Sequence, residues 1–194
     1  PRLADTELYN GTSWSEVNNI NLARNGGGGV GVQTSALYFG GSSANPSPEN
    51  PGFTRENKNE SWNGYVWTEV GDLNSGRSDT TGAGTSNTSA LCFGGKNPVV
   101  NPPGGLLALT ESWNGSSWTE VSDLNTQKEQ TAGAGTATAA LASGGASSTG
   151  ILTQTESWNG TSWTEVNDLN TAQQGAGGAG TSNTAALIFG GSIP

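Results

Sequence analysis

The chain has 194 residues, seven of them basic and 16 acidic, for a net charge of −9, and it lacks histidine and methionine. That composition excludes zinc centres built on His or Cys clusters, His-based triads and thioether ligands, and the single cysteine, Cys92, excludes an internal disulfide framework. The acidic balance argues against a phosphate-backbone partner, no apolar run nears the roughly 20 residues that span a bilayer, and 31 glycines with seven tryptophans fit neither a thick helical core nor a plain linker.

In chain order, the opening PRLADTELYNG carries no apolar signal segment, and the absence of an initiating methionine suggests a processed chain, a fragment or an N-terminus lost from view. The first predicted element is a hairpin in ELYNGTSWSEVNNIN, starting at Glu7. It returns as ESWNGYVWTEVGDLN at Glu60, ESWNGSSWTEVSDLN at Glu111 and ESWNGTSWTEVNDLN at Glu156. Each copy leads into a glycine-rich stretch and then a short apolar strand ending in Gly-Gly: SALYFGG at 35–41, SALCFGG at 89–95, AALASGG at 139–145 and AALIFGG at 185–191. From Trp14, Trp67, Trp118 and Trp163 to the first glycine of the doublet the spacing is 26, 27, 26 and 27 residues. The connections that follow the doublets vary freely in length, so insertions collect in one place.

Each unit reads as four short strands, here c, d, a and b. In the last copy, 152–158 (c) and 162–166 (d) flank Asn159-Gly160, a hairpin signal, and 175–181 (a) and 184–191 (b) flank Ser182-Asn183. No segment holds a 3.6-residue period, so helices are not expected. Trp158 and Trp163 fall on one face, and a turn centred on Asn159-Gly160 sets Glu156 opposite Trp163. The aligned glycines of strand a (Gly29, Gly82, Gly133, Gly178) predict backbones crowding round a central axis.

These residues resemble the kelch repeat: a glycine doublet ending strand b, an aromatic late in strand c and a tryptophan in strand d. The aromatic-to-tryptophan spacing of five and the Asn-Gly turn depart from the usual pattern. The resemblance implies an all-β chain, a kelch-like β-propeller spanning residues 1–194 as one domain, with four repeats of four antiparallel strands. The N-terminal c–d pair would join the C-terminal a–b pair to close a four-bladed ring, with a monomer favoured and a strand-sharing oligomer as the alternative. The Trp-Asn-Gly-x-Ser-Trp variant resembles repeat proteins of marine bacteriophages, which implies a virion or extracellular setting.

The glutamate pairs Glu7/Glu16, Glu60/Glu69, Glu111/Glu120 and Glu156/Glu165 could in principle serve sugar hydrolysis. Their recurrence in every unit points to a structural role, with a calcium site per unit as the alternative. Asp72, Asp123 and Asp168 read as turn caps, and Cys92 as a small buried hydrophobe. The residues that break the symmetry lie in the d–a connections: Arg24 and Asn25, Arg77 and Ser78, Lys128 and Glu129, Gln173 and Gln174. They share a face with the variable b–c connections at 42–55, 96–108 and 146–153, and are the candidate ligand-binding set. The expected function is a non-enzymatic binding module for a host-surface glycan or protein, without cofactor or metal. The alternative is an assembly protein contacting other virion proteins. For stability, Trp118→Ala is expected to be the most damaging of the second-tryptophan truncations, because Ala142 and Ser143 thin out its own unit.

Overall fold

A computed structural model describes residues 2–44, 54–99 and 105–193. The fold is all-β, with no helix among the described residues. The chain opens with a two-stranded sheet, β1 (Thr6–Tyr9) and β2 (Trp14–Val17). A first large sheet follows, built from β3 (Arg24–Val32), β4 (Ser35–Ser43), β6 (Asn59–Trp62) and β7 (Trp67–Glu69), with β5 (Thr54–Arg55) on the end of β4. The second comprises β8 (Thr81–Ser86), β9 (Ser89–Phe93), β10 (Thr110–Trp113) and β11 (Trp118–Glu120). The third comprises β12 (Ala132–Thr136), β13 (Ala139–Ser143), β16 (Thr155–Trp158) and β17 (Trp163–Val166), and a small hairpin of β14 (Ala146–Ser147) and β15 (Gly150–Ile151) interrupts it. The chain ends in the hairpin β18 (Gly177–Ser182) and β19 (Ala185–Phe189). Every pairing is antiparallel.

The c–d turn corrects one expectation. Trp158 stands directly opposite Trp163, and Glu156 opposite Glu165; the other units repeat this register. The loop holds four residues rather than two. Asn159 Oδ1 accepts from the backbone N–H groups of Thr161 (2.9 Å) and Ser162 (3.0 Å), and Gly160 takes a φ of 94°. An asparagine side chain folded over its own turn shifts the hairpin centre by one residue. The rings then pack at 5.3 Å.

The core lies between sheets, not within them. Phe39 of the first sheet meets Trp118 of the second edge-on at 5.0 Å, among Leu37, Leu73, Ala90 and Cys92. One junction on, Phe93 meets Trp163 at 4.9 Å, among Leu91, Leu124, Ala140 and Ala142. On the inner side the glycine strands crowd as expected. β3, β8, β12 and β18 line one central cavity of about 180 Å³. A Cβ added at Gly178 would stand 2.2 Å from Gly133 O, and one at Gly133 2.4 Å from Gly82 O. No side chain fits there.

The terminal hairpins do not pair with each other; β1–β2 and β18–β19 are separate two-stranded sheets. Each is held by its sequence neighbour through the contacts used between the large sheets. Trp67 Nε1 donates to Thr6 Oγ1 (3.0 Å), as Trp163 Nε1 does to Thr110 Oγ1 (3.0 Å). Asn183 Nδ2 donates to Ser157 Oγ and Trp158 O, as Asn87 Nδ2 does to Ser61 Oγ and Trp62 O. Outer positions of these hairpins are exposed: Trp14 is 65% accessible and Phe189 53%.

Candidate functional site

Of the eight residues expected to form a ligand surface, four are buried and four reach the surface at least in part. Arg24, Arg77 and Lys128 are buried. Arg24 Nη1 lies 2.5 Å from Glu60 Oε1 and its Nη2 donates to Tyr38 O at 3.0 Å. Arg77 pairs with Glu111 and donates to Leu109 O at 2.8 Å. Lys128 Nζ lies 2.9 Å from Glu156 Oε1. The second oxygen of each glutamate is bound too. Asn21, Asn74 and Asn125 each bring a backbone N–H and a side-chain amide to it, within 2.6–2.8 Å. A cation from the start of strand a thus neutralises the glutamate of strand c in the same sheet. That neutralisation lets two glutamates face each other across the c–d hairpin. Burial outweighs the attraction of Glu156 and pushes the Lys128 ammonium below the usual lysine value.

The backbone at these positions is structural as well. Gly41, Gly95 and Gly145, with φ near 100°, donate their N–H groups to the carbonyls of Arg77, Lys128 and Gln173. Strand b is thereby tied to the next unit, and the positive φ explains the glycine doublet. The residues after the cations form bridges: Ser78 with Lys96, Glu129 with Ala146 and Gln174 with Ser192. Glu129 also lies 3.3 Å from Lys96 Nζ. Gln173 and Gln174 are half-buried, and Asn25 is the exposed member, accepting a bond from Arg2. Cys92 is fully buried, as expected, and burial pushes its thiol up to about 11.

Of the variable b–c connections, 45–53 and 100–104 lie outside the described residues. The third is described, and it builds a cleft. The β14–β15 hairpin supplies Ser147, Thr149 and Ile151; the start of strand c supplies Thr153 and Gln154; strand d and the d–a connection add Glu165, Asp168 and Ala172; Thr126 comes from the preceding unit. The cleft measures about 400 Å³. Gln154 Nε2 donates to Glu165 Oε2 at 2.8 Å, and Thr153 Oγ1 donates to Asp168 Oδ2 at 3.0 Å. Asp168 was expected to cap a turn; here its carboxylate also borders the cleft. The sequence signal that points to this place is the residue preceding strand c, which changes from Lys58 to Leu109 to Gln154.

A second cleft, of about 440 Å³, opens on the first sheet beside the N-terminal hairpin, lined by Val30, Leu37, Tyr38 and Trp67. Among the described residues no group of three or more His, Cys, Asp or Glu side chains is placed to hold a metal ion. Compared with known proteins, the chain matches no family model and no curated sequence.

Proposed function

We propose that the chain is a kelch-like β-propeller module in which β18–β19 and β1–β2 together make the fourth blade. In this reading it serves as a non-enzymatic binding module, an appendage of a phage particle that contacts a host-surface glycan or protein through the connections on one face. The fourth blade is supported by complementarity between the two ends. Phe189 occupies the repeat position of Phe39 and Phe93, and the cleft beside Trp67 is the counterpart of the places where those rings meet Trp118 and Trp163. Glu7 is exposed, whereas its counterparts Glu60, Glu111 and Glu156 are buried; Asn170 and Gln173 stand at the repeat positions of their donors.

The observation that carries the binding reading is the polar cleft built by the 146–151 insertion. It is a concave site on a rigid repeated scaffold, at the connection where the units differ most. Labelled protein titrated onto envelopes from a panel of marine bacteria tests it. Saturable binding to some envelopes is expected, and it is lost when 146–151 is cut to a two-residue turn while the melting temperature holds. No saturable binding to any envelope defeats the reading.

The open edges of β1 and β19, with Trp14 and Phe189 exposed beside them, favour a second reading, an assembly protein that joins copies of itself. Mass in solution that rises with concentration toward multiples of 19.6 kDa would support it.

A further inference from the structure

The first and third units handle the same pair of carboxylates differently. In the first, Lys58 Nζ lies 2.8 Å from Glu69 Oε1 and 2.9 Å from Asp72 Oδ2. Those hydrogen bonds hold the lysine well above its ordinary value, so this arrangement of carboxylates keeps an ammonium charged. The third unit retains both acids, as Glu165 and Asp168, and places neutral Gln154 where the lysine would be. Gln154 Oε1 is itself buried with no hydrogen-bond partner. The 400 Å³ cleft opens at these groups, and Thr126, Ser147 and Thr149 line it together with apolar Ile151, Leu152 and Ala172.

Charge narrows the ligand further. All seven basic side chains are engaged: Arg24, Arg77 and Lys128 in buried pairs, Lys58 and Lys96 in partly exposed ones, Arg2 with Asn25 and Ser42, and Arg55 with Ser42. No basic residue lines the cleft, and Lys128, which feels Glu165 and Asp168 electrostatically, is buried and paired with Glu156. A carboxylated or sulfated ligand would find no free cation to receive it, whereas a chain of net charge −9 draws cations toward it.

We propose that the cleft binds a glycan through an amino sugar carrying a free ammonium group, seated between Glu165 and Asp168 as Lys58 Nζ sits between Glu69 and Asp72. The hydroxyls of Thr126, Ser147 and Thr149 receive the sugar hydroxyls. The inference rests on the binding-module reading and names its ligand class.

The test is calorimetry at pH 6 with two probes, the fully de-N-acetylated glucosamine tetramer and its N-acetylated counterpart. The free amine form is expected to bind at least tenfold more tightly. Gln154→Lys, which tethers an ammonium in the site as the first unit does, is expected to weaken it at least tenfold without lowering the melting temperature. Glu165→Gln should weaken it while leaving the fold intact. Equal binding of both tetramers, or binding indifferent to Gln154→Lys, overturns the proposal. So does binding of a lysine peptide when neither saccharide binds. If envelope binding persists while both tetramers fail, the ammonium inference falls and the binding module stands; if envelopes are not bound either, both fall.

Discussion

Truncating the strand d tryptophans one at a time separates the junctions energetically. Trp163 and Trp118 are equally buried, each 5% accessible, and each meets a phenylalanine edge-on at about 5 Å. Removing either ring opens a cavity worth about 3–5 kcal/mol. They differ at the indole nitrogen. Trp163 Nε1 donates to Thr110 Oγ1, a fully buried hydroxyl, while Trp118 Nε1 is buried with no partner. Trp163→Ala strands that hydroxyl at a further cost of about 1–3 kcal/mol; Trp118→Ala removes an unsatisfied donor. Trp163→Ala is therefore the most damaging, not Trp118→Ala. The thin strand with Ala142 and Ser143 belongs to the third sheet and packs at the next junction, so it does not weigh on Trp118. Trp14, 65% accessible while the terminal hairpins are separate sheets, would face small Ser143 in a closed fourth blade, so Trp14→Ala should cost clearly less than Trp163→Ala. Trp67→Ala falls between: it removes the bond to Thr6 Oγ1, and in a closed fourth blade the contact with Phe189 as well. Urea melts followed by circular dichroism, with the slope held common, give the four values. Trp118→Ala exceeding Trp163→Ala by more than 1 kcal/mol, or Trp14→Ala matching Trp163→Ala, would refute the reasoning.

Three further outcomes are expected. Glu111→Ala leaves Arg77 buried without its anion and should destabilise by about 3–5 kcal/mol in the same melts, whereas Glu120→Ala, its exposed partner across the hairpin, should change little. Burial raises the Cys92 thiol from its ordinary 9.0 to about 11. Between those pH values the unfolded chain holds fewer protons than the folded one, so stability falls as pH rises through that window, by roughly 2–3 kcal/mol, and Cys92→Ala should flatten the slope in melts at pH 8.5 and 10.5. Gln130 takes a φ of 55°, as Asp79 does at 54°, where two other units have Gly26 and Gly175, so Gln130→Gly should raise stability by about 0.5–1 kcal/mol, read from the urea midpoint.

Much of the strand plan was legible because the repeat aligns itself: Asn-Gly turns, Gly-Gly doublets and paired tryptophans recur at fixed spacing, and the glycine strands do crowd one central cavity. The hairpin register was not legible. It depends on whether Asn159 uses its side chain to extend the turn, and the dipeptide Asn-Gly alone does not separate the two cases. The burial of Arg24, Arg77 and Lys128 was not legible for a related reason. A polar residue in a glycine-rich connection looks like a surface residue until strand c brings a glutamate against it, and nothing local announces that partner. The same glutamates, read as structural because they recur, do carry that role. The cleft at Gln154 escaped notice because its signal lies in a difference between units, the loss of a lysine, and not in any motif of its own.

The account turns on whether the two ends make one blade, because only then do all four sets of connections share a face. The register of the second sheet, Ser112 opposite Leu91, places Leu8 opposite Leu187 if β1 lies beside β19. Disulfide trapping of Leu8→Cys/Leu187→Cys measures this directly; buried Cys92 is not expected to interfere. An internal disulfide formed in air, in a species of single-chain mass, is the result the account predicts. Thiols that stay free, or that link only one chain to another, would contradict it.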